Sequence, residues 1–254
     1  MVARDCNARP GSARRVTAVL VALAAVAAPG LFAEPSPGNG SDSGLGSALH
    51  SPAAGTGSAG SFEAQLLQAA PGLRPDVLQL GLRAARNARA RGVEIRSELL
   101  TLIDYTLPSS QPRLWVLDLA HRRLLFSDRV AHGSSTGELL SQYFSNRPGS
   151  RQTSLGLFLT GETYTGRNGY SLRLLGLEPG VNDRALERAI VLHGADYVSE
   201  EFARARGRLG RSWGCPAVSR RLAGPIIDAI KGGSLVFSYY ADRQWLETSE
   251  FLRN

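Results

Sequence analysis

The chain has 254 residues, 43% hydrophobic and 20% charged, which is ordinary globular usage and room for one sizeable domain or two small ones. Its formal charge of +7 rests almost wholly on arginine, with Lys231 the single lysine, and the arginines are scattered rather than gathered into a stripe. That distribution argues against nucleic acid as a partner, and two cysteines, Cys6 and Cys215, give no disulfide framework.

Residues 1–33 have the three parts of a secretory signal: arginines up to Arg15, an apolar run from Val16 to Ala28, and small residues that allow a cut after Ala27 or Ala33. The apolar run is shorter than the roughly 20 residues a spanning helix needs. Export with cleavage, to the periplasm or cell envelope, is the expectation, and an uncleaved membrane anchor is the alternative. Cleavage would take away Arg4, Arg9, Arg14, Arg15 and Asp5, and so lower the formal charge from +7 to +4. A mild positive field suits an anionic polymer such as cell-wall peptide, and equally a plain solvated surface. Glu34 to Ser61 is Gly, Ser, Pro and Ala with almost no large apolar residue, so it cannot bury enough surface to offset chain entropy and reads as a flexible tether. Nothing in the sequence marks an oligomeric state.

The domain then occupies residues 62–254, with a helical segment over 62–99. Phe62 to Ala70 and Pro75 to Ala90 read as amphipathic helices, the second with Val77, Leu80, Gly81, Ala84 and Ala88 along one side. Leu100 to Thr106 is expected to be a strand. Arg113 to Leu119 and Arg123 to Ser127 form a hairpin about Ala120-His121-Arg122, which makes His121 an exposed turn residue. Short strands follow at Gly156 to Thr160, Tyr170 to Leu175 and Ala189 to Leu192, separated by loops such as Gly161 to Gly169. Asn182 or Asp183 is expected to cap a short helix over Arg184 to Arg188. Ser219 is expected to cap another through Ile226, Ile227 and Ile230, ended by Gly232-Gly233, before a last strand Leu235 to Tyr240. Many short strands with a few helices indicate a β-rich α+β domain of mixed strands, preceded by short N-terminal helices.

With Cys6 inside the signal, the mature chain carries one thiol, Cys215, which points to a nucleophile rather than a staple. A thiol near pH 7 is only a few per cent ionised, so it needs a neighbour that takes its proton. Of the four histidines, His50 lies in the tether and His121 in a turn. His193 closes the strand Ala189 to Leu192 and is held at a fixed angle, which makes it the first choice; His132, in a Gly/Ser loop, is the second. Gly214 before the thiol permits a sharp turn with exposed N–H groups, so Gly214 and Cys215 are the natural oxyanion donors. No acid or amide is placed to orient the imidazole, which leaves a backbone carbonyl such as that of Gly194. Ser212 is either a loop or substrate contact or a plain turn residue. A metal site of His132, His193 and Cys215 lacks any paired-ligand spacing, and no cofactor is called for.

Chain order excludes papain-like enzymes, because no histidine follows Cys215. Sortases place histidine first, but the residues before Cys215 do not match theirs. His193-Gly194 followed by Ser212-Trp213-Gly214-Cys215 resembles the His-Gly and Ser-x-Gly-Cys motif of the murein L,D-transpeptidase catalytic domain, of the YkuD type. Thr153-Ser154-Leu155-Gly156-Leu157-Phe158 and Val130-Ala131-His132-Gly133 resemble two further stretches of that family, and the likeness covers roughly Leu100 to Trp245. Trp213 stands where many members have histidine, and the interval from His193 to Cys215 is somewhat long. Both fit a divergent subgroup whose motif is Gly-Arg-Ser-x-Gly-Cys-Pro-Ala.

The resemblance implies Cys215 as nucleophile, His193 as base and then acid, and the Gly194 carbonyl as the group that orients His193. It implies acyl transfer on peptidoglycan stem peptides through a thioester, with an amine or water as acceptor, and capture of Cys215 by carbapenems. Arg211 and Trp213 are expected to hold a substrate carboxylate and wall the groove, with Ser212 and His132 as further substrate contacts. A non-catalytic wall-binding module is the competing reading.

Overall fold

The computed structural model describes residues 60–253. The signal over 1–33 and residues 34–59 of the tether lie outside the described residues. Helix α1 (Phe62–Ala69) opens at Ser61, whose hydroxyl accepts from the Ala64 N–H at 3.2 Å, and α2 (Pro75–Ala90) opens on its proline, where the missing N–H costs nothing. In α2 the expected stripe of Val77, Gly81, Ala84 and Ala88 is buried, with Leu80 half-buried and Leu78 and Ala85 widening it. A Cβ on Gly81 would stand 2.4 Å from Leu102 Cδ2, so the helix lies directly on the sheet.

Strands β1 (Leu99–Asp104), β2 (Leu114–Asp118) and β3 (Arg123–Asp128) run antiparallel in sequence. The β2–β3 turn is held by the Asp118 carboxylate, which accepts from the His121 N–H at 3.1 Å and from Arg123 Nε at 3.0 Å. The His121 side chain is 70% exposed there. Strand β4 (Gly156–Gly166) and β5 (Gly169–Gly176) correct one expectation: most of the supposed loop over 161–169 is strand. The register shifts between Thr160 and Thr163, which absorbs Gly161-Glu162 as a bulge, and the turn shrinks to Arg167-Asn168 before Gly169 at φ +76°.

The remaining elements are β6 (Val191–Ala195), α3 (Glu200–Arg206), β7 (Ala217–Ser219), α4 (Arg220–Ile230), β8 (Leu235–Tyr239) and α5 (Arg243–Thr248). The sequence reading contained neither α3 nor α5. The helix expected over 184–188 is a series of turns. Asn182 is not its cap, because its amide donates to the Leu155 and Leu157 carbonyls at 2.9 and 3.0 Å while its oxygen accepts from the Glu178 N–H at 2.8 Å. Ser219 does precede α4, but its hydroxyl donates to Asp128 Oδ2 at 2.6 Å instead of capping the helix.

The strands make one eight-stranded mixed sheet in the order β3-β2-β1-β8-β4-β5-β6-β7, parallel only at β1–β8 and β6–β7. One face carries α1 and α2 over Leu100, Leu102, Leu157, Leu235 and Phe237. The other carries α4, whose Ala223, Ile226, Ile227 and Ile230 recur at helical spacing and are buried with Ile103, Leu172, Val236 and Cys215. Each isoleucine fully removed from water contributes roughly 1.5–3 kcal/mol, and this face is what fixes the edge formed by β6 and β7.

Candidate active site

The sequence reading put His193 at a strand end; it is the central residue of β6. Ala189 adopts φ +52°, which interrupts extended backbone, so the strand starts at Val191 and runs on through Gly194. A glycine is needed at 194 for packing as well as turning: a Cβ there would lie 2.8 Å from Ala223 Cβ and 3.3 Å from Arg220 Cα of α4. The parallel register pairs His193 with Ala217, and the His193 N–H points to the Pro216 carbonyl at 3.4 Å. The thiol loop, 211–216, therefore enters β7 beside this histidine.

His193 is only 2% exposed. Its Nδ1 lies 3.1 Å from the Gly194 carbonyl, which can only accept, so Nδ1 carries the proton and Nε2 carries the lone pair. Nε2 is buried without a hydrogen-bond partner. Burial lowers the ring's pKa below the usual histidine value, the Gly194 bond opposes this, and Arg220 adds to the lowering. The result is a neutral imidazole with a bare acceptor nitrogen.

Cys215 is fully buried, with Sγ directed at the Ala189 carbonyl at 3.6 Å. Ser212 shapes the loop around it. Its N–H donates to the His132 carbonyl (3.0 Å), its carbonyl accepts from the Ser134 N–H (2.7 Å), its hydroxyl donates to the Cys215 carbonyl (2.6 Å), and that hydroxyl accepts from the Gly214 N–H (3.1 Å). The last bond occupies the Gly214 N–H, one of the two expected oxyanion donors, and ties the Ser212 hydroxyl into the loop. Gly214 has φ +122°, and a Cβ there would stand 2.7 Å from the Gln152 carbonyl, so only glycine fits.

Arg211 is likewise occupied within the protein. Nη1 donates to the Ser134 and Gly137 carbonyls at 3.3 and 3.2 Å and to the Glu138 carboxylate, which also pairs with Arg208 at 2.8 Å. It clamps the 133–138 loop against the thiol loop. Its outer side borders an open cleft of about 500 Å³ that includes the exposed Leu140 and Tyr143. Trp213 is half-buried beneath the Arg151 guanidinium, 4.4 Å from the ring centroid.

His132 is 1% exposed, and both its nitrogens are engaged. Nδ1 accepts from Arg113 Nη2 at 2.8 Å with the Ser141 hydroxyl at 3.1 Å, and Nε2–H donates to the Gly137 carbonyl at 3.2 Å. Burial and then the Arg113 charge push its pKa down to about 3. Both ring nitrogens of His132 are thus engaged within the protein, and among the described residues no cluster of three or more His, Cys, Asp or Glu suits a metal.

Two arginines missed by sequence reasoning build this scaffold. Arg113, fully buried, donates to the Val130 carbonyl at 2.7 and 3.0 Å and to the Leu107 carbonyl at 2.7 Å. Arg188 donates to the Ser145 and Gln152 carbonyls and the Ser154 hydroxyl, each at 2.5 Å, and so ties the 145–154 segment beside Gly214. Neither has a sequence signal, since a buried arginine and a solvated one look alike in a pattern of polar residues. By contrast the stretches around His132 and Thr153, singled out in the sequence, do converge: the Gly133 N–H donates to Thr153 Oγ1 at 2.9 Å.

A model of the L,D-transpeptidase catalytic domain matches residues 69–239. No curated protein matches the chain. Among solved structures, the L,D-transpeptidase from Mycobacterium smegmatis is 14% identical with a TM-score of 0.35, over 57% of this chain and 59% of that one. L,D-transpeptidase 1 of Mycobacterium tuberculosis is 15% identical with a TM-score of 0.32, over 56% and 62%. Residues 123–326 of the L,D-transpeptidase from Xylanimonas cellulosilytica are 16% identical with a TM-score of 0.34, over 70% and 91%. The chain thus spans less than two thirds of the length of the two mycobacterial proteins.

Proposed function

The chain belongs to the L,D-transpeptidase catalytic-domain family, and from that premise we propose that it transfers acyl groups between peptidoglycan stem peptides through a thioester on Cys215. The observation that carries this reading is His193: a neutral imidazole, oriented by the Gly194 carbonyl, with a buried and unpartnered Nε2 on the strand next to the thiol loop.

In the first half-reaction His193 Nε2 takes the Cys215 proton, and the thiolate adds to the carbonyl of the third stem residue. The Cys215 N–H supports the oxyanion, the Gly214 N–H being held by Ser212. Collapse breaks the peptide bond, the proton on Nε2 goes to the departing amine of D-alanine, and a thioester remains. In the second half-reaction an amine of a neighbouring stem attacks the thioester, gives its proton to His193, and releases the thiolate as the new peptide bond forms. Water in place of that amine yields a tripeptide, which is L,D-carboxypeptidase chemistry. Because Cys215 and His193 are both buried, substrate entry requires the loops packed around the thiol loop to open locally.

The deciding experiment incubates residues 34–254, with and without Cys215→Ala, with disaccharide tetrapeptide in the presence and absence of a D-amino acid, and follows both the protein mass and the products. Cys215-dependent loss of D-alanine supports the enzyme, and a dimer or exchanged tetrapeptide names the acceptor as an amine. Folded protein with neither turnover nor thioester would favour a wall-binding module. The same substrate would place the protein in the envelope, with residues 1–33 as its export signal; N-terminal sequencing of the mature protein tests this, and a start at Met1 or Val2 contradicts cleavage.

A further inference from the structure

Four arginines stand near the thiol loop, and the structure sorts them. Arg211 is bound to Glu138, Arg220 to Asp196, and Arg188 is spent on the 145–154 segment. Arg151 differs. It is exposed, and among the described residues no carboxylate pairs with it; its side-chain contact is the face of Trp213, 4.4 Å from guanidinium carbon to ring centroid.

The place of that stack is unusual in two respects. Arg151 holds φ +56°, a left-handed conformation uncommon for a residue with a side chain. Its backbone is also in the innermost layer of the site: a Cβ built on Gly133 would lie 2.3 Å from the Arg151 carbonyl and 3.0 Å from Gly214 Cα, and one on Gly214 would meet the Gln152 carbonyl at 2.7 Å. The Arg151 carbonyl and Gly214 thus pack against the same glycine, Gly133, which brings the backbone that carries Arg151 up to the residue preceding Cys215. A guanidinium held over an aromatic face keeps its N–H donors for other partners, so this contact positions a carboxylate receptor without using up its donors. Trp213 Nε1–H, buried and unpartnered, adds a further donor on the same ring.

We propose that Arg151, seated on Trp213, recognises the free α-carboxylate of the C-terminal D-amino acid that leaves when Cys215 is acylated. This rests on the acyl-transfer reading and names the group that selects its donor. In the donor that carboxylate lies one residue from the carbonyl under attack, so its receptor has to stand close to the thiol loop, as Trp213 does within that loop. Arg211, the arginine nearest Cys215 in sequence, is left as a loop clamp.

The test is isothermal titration of Cys215→Ala protein with a stem tetrapeptide ending in free D-alanine and with its C-terminal amide, repeated after adding Arg151→Gln. The acid should bind about tenfold tighter than the amide, and Arg151→Gln should bring the ratio near one by weakening the acid alone. Arg151→Lys, which keeps the charge without the fork, should give a ratio between these and serves where the glutamine variant does not fold. Equal binding of acid and amide by the Arg151 protein, binding of neither, or a preference that survives both substitutions overturns the proposal. Failure of the acyl-transfer reading shows elsewhere, as absence of Cys215-dependent D-alanine release by the wild-type chain.

Discussion

His132 and His193 are buried to nearly the same depth, 1% and 2% exposed, and both have lowered pKa values because burial disfavours the charged ring. They differ in what their nitrogens do. His132 gives one nitrogen to Arg113 and Ser141 and the other to the Gly137 carbonyl, so it closes a network. His193 is tied through Nδ1 only, and its Nε2 is left without a partner in a buried setting. An unsatisfied buried acceptor costs stability, typically about 1–3 kcal/mol, and in the proposed reaction this nitrogen is the one that takes the thiol proton. Hydrogen-bond accounting, not depth of burial, separates the histidine that closes a network from the one that keeps a bare nitrogen.

The largest way to break that contrast is to remove the reacting groups. Cys215→Ala should abolish D-alanine release, and His193→Gln should lower kcat by about 10³-fold or more, both with little loss of thermal stability. His132→Phe should do the reverse, leaving Arg113 without its ring partner and costing roughly 2–4 kcal/mol in chemical denaturation while Cys215-dependent turnover of the folded fraction persists. If His132→Phe matched His193→Gln in kcat at unchanged stability, the division between the two rings would be wrong.

Next comes Gly194→Ala. Its Cβ would meet Ala223 Cβ at 2.8 Å, with the Arg220 backbone close behind, so α4 and β6 must separate. A loss of about 1–3 kcal/mol is expected for such overpacking, with a fall in kcat as the carbonyl that orients His193 shifts. Denaturant midpoints and kcat measured on the same preparation check it.

The pH response follows from the two lowered pKa values. For His132, about 3 when folded and about 6.5 when unfolded, the unfolded chain holds an extra proton across the window between. Stability should therefore fall as pH drops from about 6.5 towards 3, at a limiting slope of about 1.4 kcal/mol per pH unit from this ring. Denaturation curves at stepped pH should show that slope reduced in His132→Phe. The rate should stay flat on the acid side until below the usual histidine value, since His193 must remain neutral to accept the thiol proton. The smallest effect is expected from His121→Ala, within about 0.5 kcal/mol of wild type, since that ring sits in an exposed turn.

The mixed fate of the sequence reading has a physical pattern. Helices α2 and α4 were legible because each buries a stripe at helical spacing, and the β2–β3 hairpin because two apolar-containing runs flank a short turn. The β4–β5 hairpin was misread because a bulge and a two-residue turn let Gly- and Thr-rich sequence pair, and cross-strand bonds are not visible along one strand. Turn residues at 184–188 were misread as a capped helix because Asn182 spends its side chain on the Leu155 and Leu157 carbonyls instead.

At the candidate site, the sequence by itself determined the residue types and their order: one thiol beyond residue 33, a His-Gly pair before it, and glycine where φ is +122° at Gly214. Those are chemical identities, and they are written residue by residue. Only the tertiary structure decided which partners each group has. It tied Arg211, Ser212 and His132 into the loops, drew in Arg113 and Arg188, and set Arg151 on Trp213. Hydrogen-bond donors are shared out among groups tens of residues apart in sequence, and that competition is settled only when the chain has closed around them.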